Sequence, residues 1–320
     1  MSMGSLQAFA EKILQGDRLA IARGISLVEC EHPDAHAFLK IIYRHTGRSY
    51  RVGITGPPGA GKSTLTNKLA KLYRREAKRV GIIAVDPTSP FTGGALLGDR
   101  VRMTDVELDQ GVFIRSMASR GSLGGLSRKA REAADVLDAS GCDMILMETV
   151  GVGQSELDIA RAADTTVVVL VPESGDSIQA MKAGLMEIGD FFVINKADRA
   201  GAEQAVMSIK MVLGFKPGTN GWNSDVIKTV ANEGIGVELV GQMIEAHSSY
   251  LRRHQLLSVR RAERAAERIR ELVGRELHRE FWNEEREAVL HSSIEEVVQL
   301  KSTPYDVAER LLRDAKDSFP

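Results

Sequence analysis

Hydrophobic and polar positions divide the 320-residue chain into three zones. In residues 1–50, "LQAFAEKIL" and "DAHAFLKIIYRH" place apolar groups three and four residues apart, the period of amphipathic helices. From residue 51 to about residue 248, short apolar runs alternate with helical stretches. The runs are "RVGIT" (51–55), "RVGIIAV" (79–85), "VFIRSM" (112–117), "DMILMET" (143–149), "TTVVVLV" (165–171), "FFVINK" (191–196) and "DVIKTVA" (225–231). Val, Ile and Leu fill most of them, as in strands buried on both faces of a parallel sheet. Helices between such strands make βαβ units with right-handed crossovers. The pattern predicts an α/β fold with a mostly parallel central sheet over 51–248 and helical extensions over 1–50 and 249–320.

In the last zone Ala262, Ala266, Ile269, Val273, Leu277 and Phe281 fall on one stripe of a helix. Some 20 residues of such a helix reach about 30 Å. Arg and Glu alternate around the stripe. The pattern alone fits either a helix packed on its own domain or an arm that pairs with a second subunit.

Composition excludes several classes. The 43% hydrophobic and 27% charged residues are ordinary for a soluble globular protein. A formal net charge of -1 gives no excess that would draw nucleic acid or an anionic membrane surface. No apolar run approaches the roughly 20 residues that cross a bilayer. The opening "MSMGSLQAFAEKILQGDRLA" lacks the apolar segment of a signal peptide. Cys30 and Cys142 match no metal or redox spacing, so reduced thiols in a cytoplasmic protein are expected.

Candidate chemistry begins at "GPPGAGKST", which follows the run "RVGIT" and opens the helical "STLTNKLAKLYRRE". Gly56, Gly61, Lys62 and Ser63 satisfy G-x-x-x-x-G-K-[ST] in the strand-to-helix setting that makes this motif specific. Backbone N–H groups across Gly56, Pro57, Pro58, Gly59, Ala60, Gly61, Lys62, Ser63 and Thr64 would cradle phosphates, except at the two prolines, which have no N–H. Lys62 supplies a charge for the β- and γ-phosphates, and the Ser63 hydroxyl is placed to ligate Mg²⁺. "METVGVGQSE" ends another run with Glu148, a carboxylate for the metal shell, and Gly151, whose N–H can approach the γ-phosphate.

"VINKAD" selects the base. In the N-K-x-D spacing of Asn195, Lys196 and Asp198, the Asp198 carboxylate can accept both guanine donors and would be left unpaired by adenine. The Lys196 stem can lie over the base, and Ala231 in "TVANEG" can offer a backbone N–H. Where Ras-type GTPases place a water-orienting Gln, this chain has Val152, with Gln154 as the candidate substitute. Slow hydrolysis without a partner is expected. The loop "DPTSPFTGGALLGDRVRM", with Asp86 and Asp99, has a composition that can order around γ-phosphate and Mg²⁺, and "SRGSLGGLS" is another Gly-rich stretch. "PESGDSIQAMKAG" carries Glu173, Asp176 and Lys182, which could exchange ion pairs as the nucleotide changes.

Taken together, "GPPGAGKST", "DPTSP", "RGSLGGLS", "ETVGVGQSE", "PESGDSIQAMKAG" and "NKAD" resemble the MeaB family, also called MMAA or ArgK, of metallochaperone-like (SIMIBI) P-loop GTPases. Similarity extends from "GDRLAIARGISLVE" to "TPYDVAERLL". The resemblance implies a GTP-dependent chaperone of an adenosylcobalamin-dependent acyl-CoA mutase, usually methylmalonyl-CoA mutase. It implies GTP/GDP and Mg²⁺ as ligands. Lys62, Ser63, Asp86, Asp99 and Glu148 would surround phosphate and metal, with Lys62, Glu148 and Gln154 as the catalytic set. Residues 172–184 would be a switch that meets the mutase, and the last zone a homodimerisation arm. A cobalamin adenosyltransferase is a further partner it suggests.

"DAHAFL" lacks the glycine of the D-x-H-x-x-G cobalamin signature, having Leu39 there, so direct histidine ligation of cobalamin is not expected. Two other readings stand beside the chaperone. One is a kinase transferring the γ-phosphate, which N-K-x-D and the missing H-R-D and D-F-G motifs oppose. The other is a nickel-insertion GTPase, for which the chain lacks a His tract or paired Cys.

Overall fold

Seven strands form one sheet in the order β3-β2-β4-β1-β5-β6-β7. They are β1 (Tyr50–Thr55), β2 (Val80–Asp86), β3 (Val112–Ala118), β4 (Met144–Thr149), β5 (Thr165–Leu170), β6 (Phe191–Asn195) and β7 (Val226–Thr229). Every neighbouring pair is parallel. All seven runs picked out from the sequence are strands, and the sheet is parallel throughout. The structure is a computed structural model, and it describes residues 2–86, 106, 108–118, 125–149, 155–172, 184–214 and 221–316.

The unbroken apolar runs follow from covering both faces. Every residue of β4, β5 and β6 is buried. On one face, Leu146 of β4 and Val52 and Ile54 of β1 pack with Leu65, Leu69 and Tyr73 of helix α4 (Lys62–Arg75). Val240 and Ile244 of a later helix, α9 (Val237–Arg253), join them. On the other face, Ile145 and Met147 pack with helices α1 (Met3–Leu14), α2 (Arg18–Glu29), α3 (Ala35–Ile42) and α5 (Gly125–Ala139). Gly53 faces that side too, where a Cβ would come within 2.8 Å of Ile159 in α6 (Ser155–Ala162). The remaining helices are α7 (Leu185–Ile188), α8 (Ala202–Gly214), α9 (Val237–Arg253), α10 (Leu256–Phe281), α11 (Glu284–Val298) and α12 (Pro304–Lys316).

Side-chain caps mark the early helices. Ser2 and Asp17 accept hydrogen bonds from the backbone N–H groups of Ser5 and Ala20, satisfying donors that a helix start leaves unpaired. Asp138 of α5 accepts from the N–H groups of Gly47, Arg48 and Ser49 and so holds the chain as it enters β1. Arg51 of β1 pairs with Asp135 at 2.8 Å and Asp138 at 3.3 Å, an ion cluster with little exposure.

Two compact units are present, residues 1–258 and residues 259–320. In the second, Ile269, Val273 and Leu277 of α10 are 60%, 52% and 49% exposed, an apolar stripe open to solvent. Among the described residues, no helix is long and apolar enough to cross a membrane.

Candidate nucleotide site

Parallel α/β sheets bind ligands beyond the carboxyl ends of their strands. β1 ends there at Thr55, and residues 56–61 turn the chain into α4. Gly56, Gly59 and Gly61 have φ of 135°, 75° and 87°, values that residues with a Cβ rarely adopt. Space makes the same demand at two of them. A Cβ on Gly56 would lie 2.0 Å from the Val169 carbonyl oxygen, and one on Gly61 would lie 2.2 Å from Asn195 Nδ2.

Lys62, the first residue of α4, is buried, and its Nζ donates to the carbonyls of Gly56 at 2.7 Å and Pro57 at 2.8 Å. The turn therefore closes around its own ammonium group. Ser63 follows in the first helical turn, whose N–H groups have no partners within the helix and carry its positive end. The loop so built can receive a polyphosphate.

Glu148 stands on β4, level with Ile54 of β1 and Ala84 of β2, and is 2% exposed. Its Oε2 accepts a 2.6 Å hydrogen bond from Thr66 Oγ1. One residue on, Thr149 shares a 3.1 Å hydrogen bond with Thr55, joining the tips of β4 and β1 on the opposite face. The oxygens of Ser63 and Glu148 are hard donors of the kind Mg²⁺ takes. Among the described residues, no cluster of three or more His, Cys, Asp and Glu side chains is arranged for a metal.

Asn195, the last residue of β6, is 3% exposed and engaged at both ends of its amide. Nδ2 donates to the Ala60 carbonyl at 2.8 Å. Oδ1 accepts from Thr229 Oγ1 and from the Ala231 N–H, each at 3.0 Å. One side chain thus clasps the phosphate turn to the segment after β7. The Ala231 N–H, expected to face the base, is directed to Asn195. Lys196 takes φ of 57°, and the Ala197 N–H donates to the Thr229 carbonyl at 3.0 Å. That bend brings the chain out to Asp198, which is exposed at the strand tip.

The structure thus gathers Gly56 through Ser63, Glu148 and Asn195 through Asp198 at one edge of the sheet. Asp99, Gly151, Val152, Gln154, Glu173, Asp176 and Lys182 lie outside the described residues, as does the side chain of Asp86, the last residue of β2. Sequence reasoning missed Thr66 and Thr229. Thr66 had a signal: it is a polar residue on the buried stripe Lys62, Thr66, Leu69, Tyr73 of α4. Thr229 had none, because a threonine in a strand is unremarkable.

A phosphate-receiving turn after β1 and an Asn-Lys-x-Asp tip on β6, set in one parallel sheet, define a P-loop GTPase. The family of methylmalonyl-CoA mutase-associated GTPase MeaB matches residues 21–286, and the chain belongs to that family. A Pyrococcus abyssi protein provisionally named a GTPase is 47% identical over 307 residues, 95% of each chain. The Escherichia coli GTPase ArgK is 44% identical over 191 residues, 58% of each chain. The Mus musculus methylmalonic aciduria type A homolog is 33% identical over 273 residues, 78% of this chain and 65% of that one. The crystal structure of a protein named LAO/AO transport system kinase superposes with a TM-score of 0.74 at 27% identity, covering 99% of both chains.

Proposed function

We propose that this GTPase is a cytoplasmic chaperone that gates adenosylcobalamin loading, protection or reactivation of a cobalamin-dependent acyl-CoA mutase, of the methylmalonyl-CoA type. Membership of the mutase-associated family supports the client. The observation that carries the guanine-nucleotide switch is the Asn195 clasp, which makes the phosphate turn and the base loop one unit. Asp198 accepts from the two guanine donors, and the Lys196 stem lies along the base. The turn's N–H groups and the Lys62 ammonium bind the phosphates.

Ser63 and Glu148, with Asp86 and Asp99, hold Mg²⁺. These oxygens would hold the ion beside the phosphates, where it would supply positive charge to offset the charge that develops in hydrolysis. Gln154 orients the attacking water in place of Val152, and hydrolysis stays slow until a client closes the site. Glu173, Asp176 and Lys182 exchange ion pairs between nucleotide states and report them to the mutase. A cobalamin adenosyltransferase is a second partner of the same chemistry. The exposed stripe of α10 supports a homodimer, because an apolar helix face of this length is rarely left in water.

Affinity capture of a mutase from cell extract should be strong with one of GDP and a non-hydrolysable GTP analogue and weak with the other. Capture indifferent to nucleotide would remove the switch. The solved relative, which is named a kinase, keeps phosphoryl transfer as the second reading. Radiolabelled γ-phosphate appearing on an acceptor, rather than as free phosphate, would favour it. Calorimetry with ATP binding as tightly as GTP would overturn the guanine assignment.

A further inference from the structure

Glu148 is a carboxylate almost sealed from water, and its strand neighbours at the same level are the apolar Ile54 and Ala84. An ionised group in such a place needs a donor to hold its orientation. Thr66 supplies one from α4, a single turn beyond Ser63. Its hydroxyl has one hydrogen and two acceptors in reach, Glu148 Oε2 at 2.6 Å and the Lys62 carbonyl at 3.0 Å. The shorter, charge-assisted bond is the stronger, so the hydrogen goes to the carboxylate. Thr66 itself has no exposed surface and lies on the buried face of α4, where valine has nearly the same shape. The hydroxyl therefore adds nothing to packing that a methyl group would not.

We infer that Thr66 is a positioning residue: it fixes the Glu148 carboxylate relative to Ser63, so that both oxygens meet one magnesium ion at the phosphates. Helix α4 carries Ser63 and Thr66 as one rigid piece, which ties the two metal donors together although they come from different elements. This rests on the reading of Ser63 and Glu148 as metal donors.

The test compares nucleotide affinity in EDTA with affinity in millimolar Mg²⁺, using a fluorescent GDP, for wild type and for Thr66→Val, Thr66→Ala and Thr66→Ser. The turn, Lys62 and Asp198 set the EDTA value, so it should stay within about twofold in every variant. The further tightening that Mg²⁺ gives should fall about tenfold in the Val and Ala variants, the scale of a lost hydrogen bond to a charged group. Thr66→Ser should restore it. Undiminished Mg²⁺ tightening in Thr66→Val and Thr66→Ala would overturn the inference. So would an equal loss in EDTA and in Mg²⁺, which marks a structural residue, or failure of serine to rescue. If wild type itself gains nothing from Mg²⁺, the metal reading of Ser63 and Glu148 falls instead, a result distinct from the others.

Discussion

Asn195→Ala removes a donor and an acceptor that serve three partners in a nearly waterless place. The Ala60 carbonyl loses its 2.8 Å bond from Nδ2, and the Ala231 N–H and Thr229 hydroxyl lose their 3.0 Å bonds to Oδ1. Thr229 is buried, yet its hydroxyl can rotate towards another acceptor; the two backbone groups are fixed. A buried group left without its partner costs about 1–3 kcal/mol. Two fixed groups therefore set a loss of about 2–6 kcal/mol, a large share of the roughly 5–15 kcal/mol that holds a domain folded. The assay is urea unfolding followed by circular dichroism, where such a loss should lower the midpoint by about 1 M or more. GTP and GDP affinity should fall together, because the phosphate turn and base loop lose their common anchor. An Asn195→Ala protein within about 0.5 kcal/mol of wild type, with unchanged nucleotide affinity, would refute the clasp; that margin is what an ordinary surface substitution gives.

Four further outcomes follow from the structure. Gly56→Ala and Gly61→Ala should each abolish measurable GTP binding in calorimetry, since both combine a positive φ with a Cβ position 2.0 Å or 2.2 Å from a fixed neighbour. Arg51→Ala should destabilise by about 3 kcal/mol in chemical denaturation, because Asp135 and Asp138 stay buried after losing the Arg51 guanidinium. Burial pushes the Cys142 thiol up to about 11 and the Tyr50 phenol up to about 12. The fold thus holds these protons more tightly than the unfolded chain, and stability is intact below the ordinary values of 9.0 and 10.0 and lost as pH rises towards 11 and 12. Tyr50 alone should remove about 1.4 kcal/mol by about pH 11, read by urea titration and blunted in Tyr50→Phe. A disulfide reagent should meanwhile find exposed Cys30 quickly and Cys142 only after unfolding.

The sheet was legible because a parallel strand leaves a simple trace: covered on both faces, it needs apolar residues at consecutive positions. "DMILMET" and "TTVVVLV" carry that trace, and both are buried throughout as β4 and β5. The phosphate turn was legible because its glycines are forced locally, by dihedral angles and by crowding. Strand order was not legible, since nothing in "RVGIIAV" states that β2 will pair with β4 rather than β1. Asn195 was legible as a motif member and illegible as a clasp. Its partners Ala60 and Ala231 act through backbone atoms, which leave no mark on residue identity. The apolar stripe of α10 was readable, while its exposure at Ile269, Val273 and Leu277 depends on what the fold leaves uncovered.

Phosphate binding and base selection look separable in the sequence, with Gly61 and Asn195 separated by 134 positions. The structure joins the two segments that would carry them. Gly61 must lack a Cβ because the Asn195 amide occupies that space, and Asn195 is held there by the carbonyl of Ala60, the residue before Gly61. A displacement of the turn, such as a γ-phosphate would impose or release, therefore acts directly on the strand tip that carries Lys196 and Asp198. The same turn runs into α4, whose Thr66 grips Glu148 on β4. Three strand tips, β1, β4 and β6, are thereby connected through one helix start. A rigid connection of this kind gives a guanine-nucleotide site a mechanical reason to respond as a whole to a single phosphoryl group, without any long chain of intermediaries across the core.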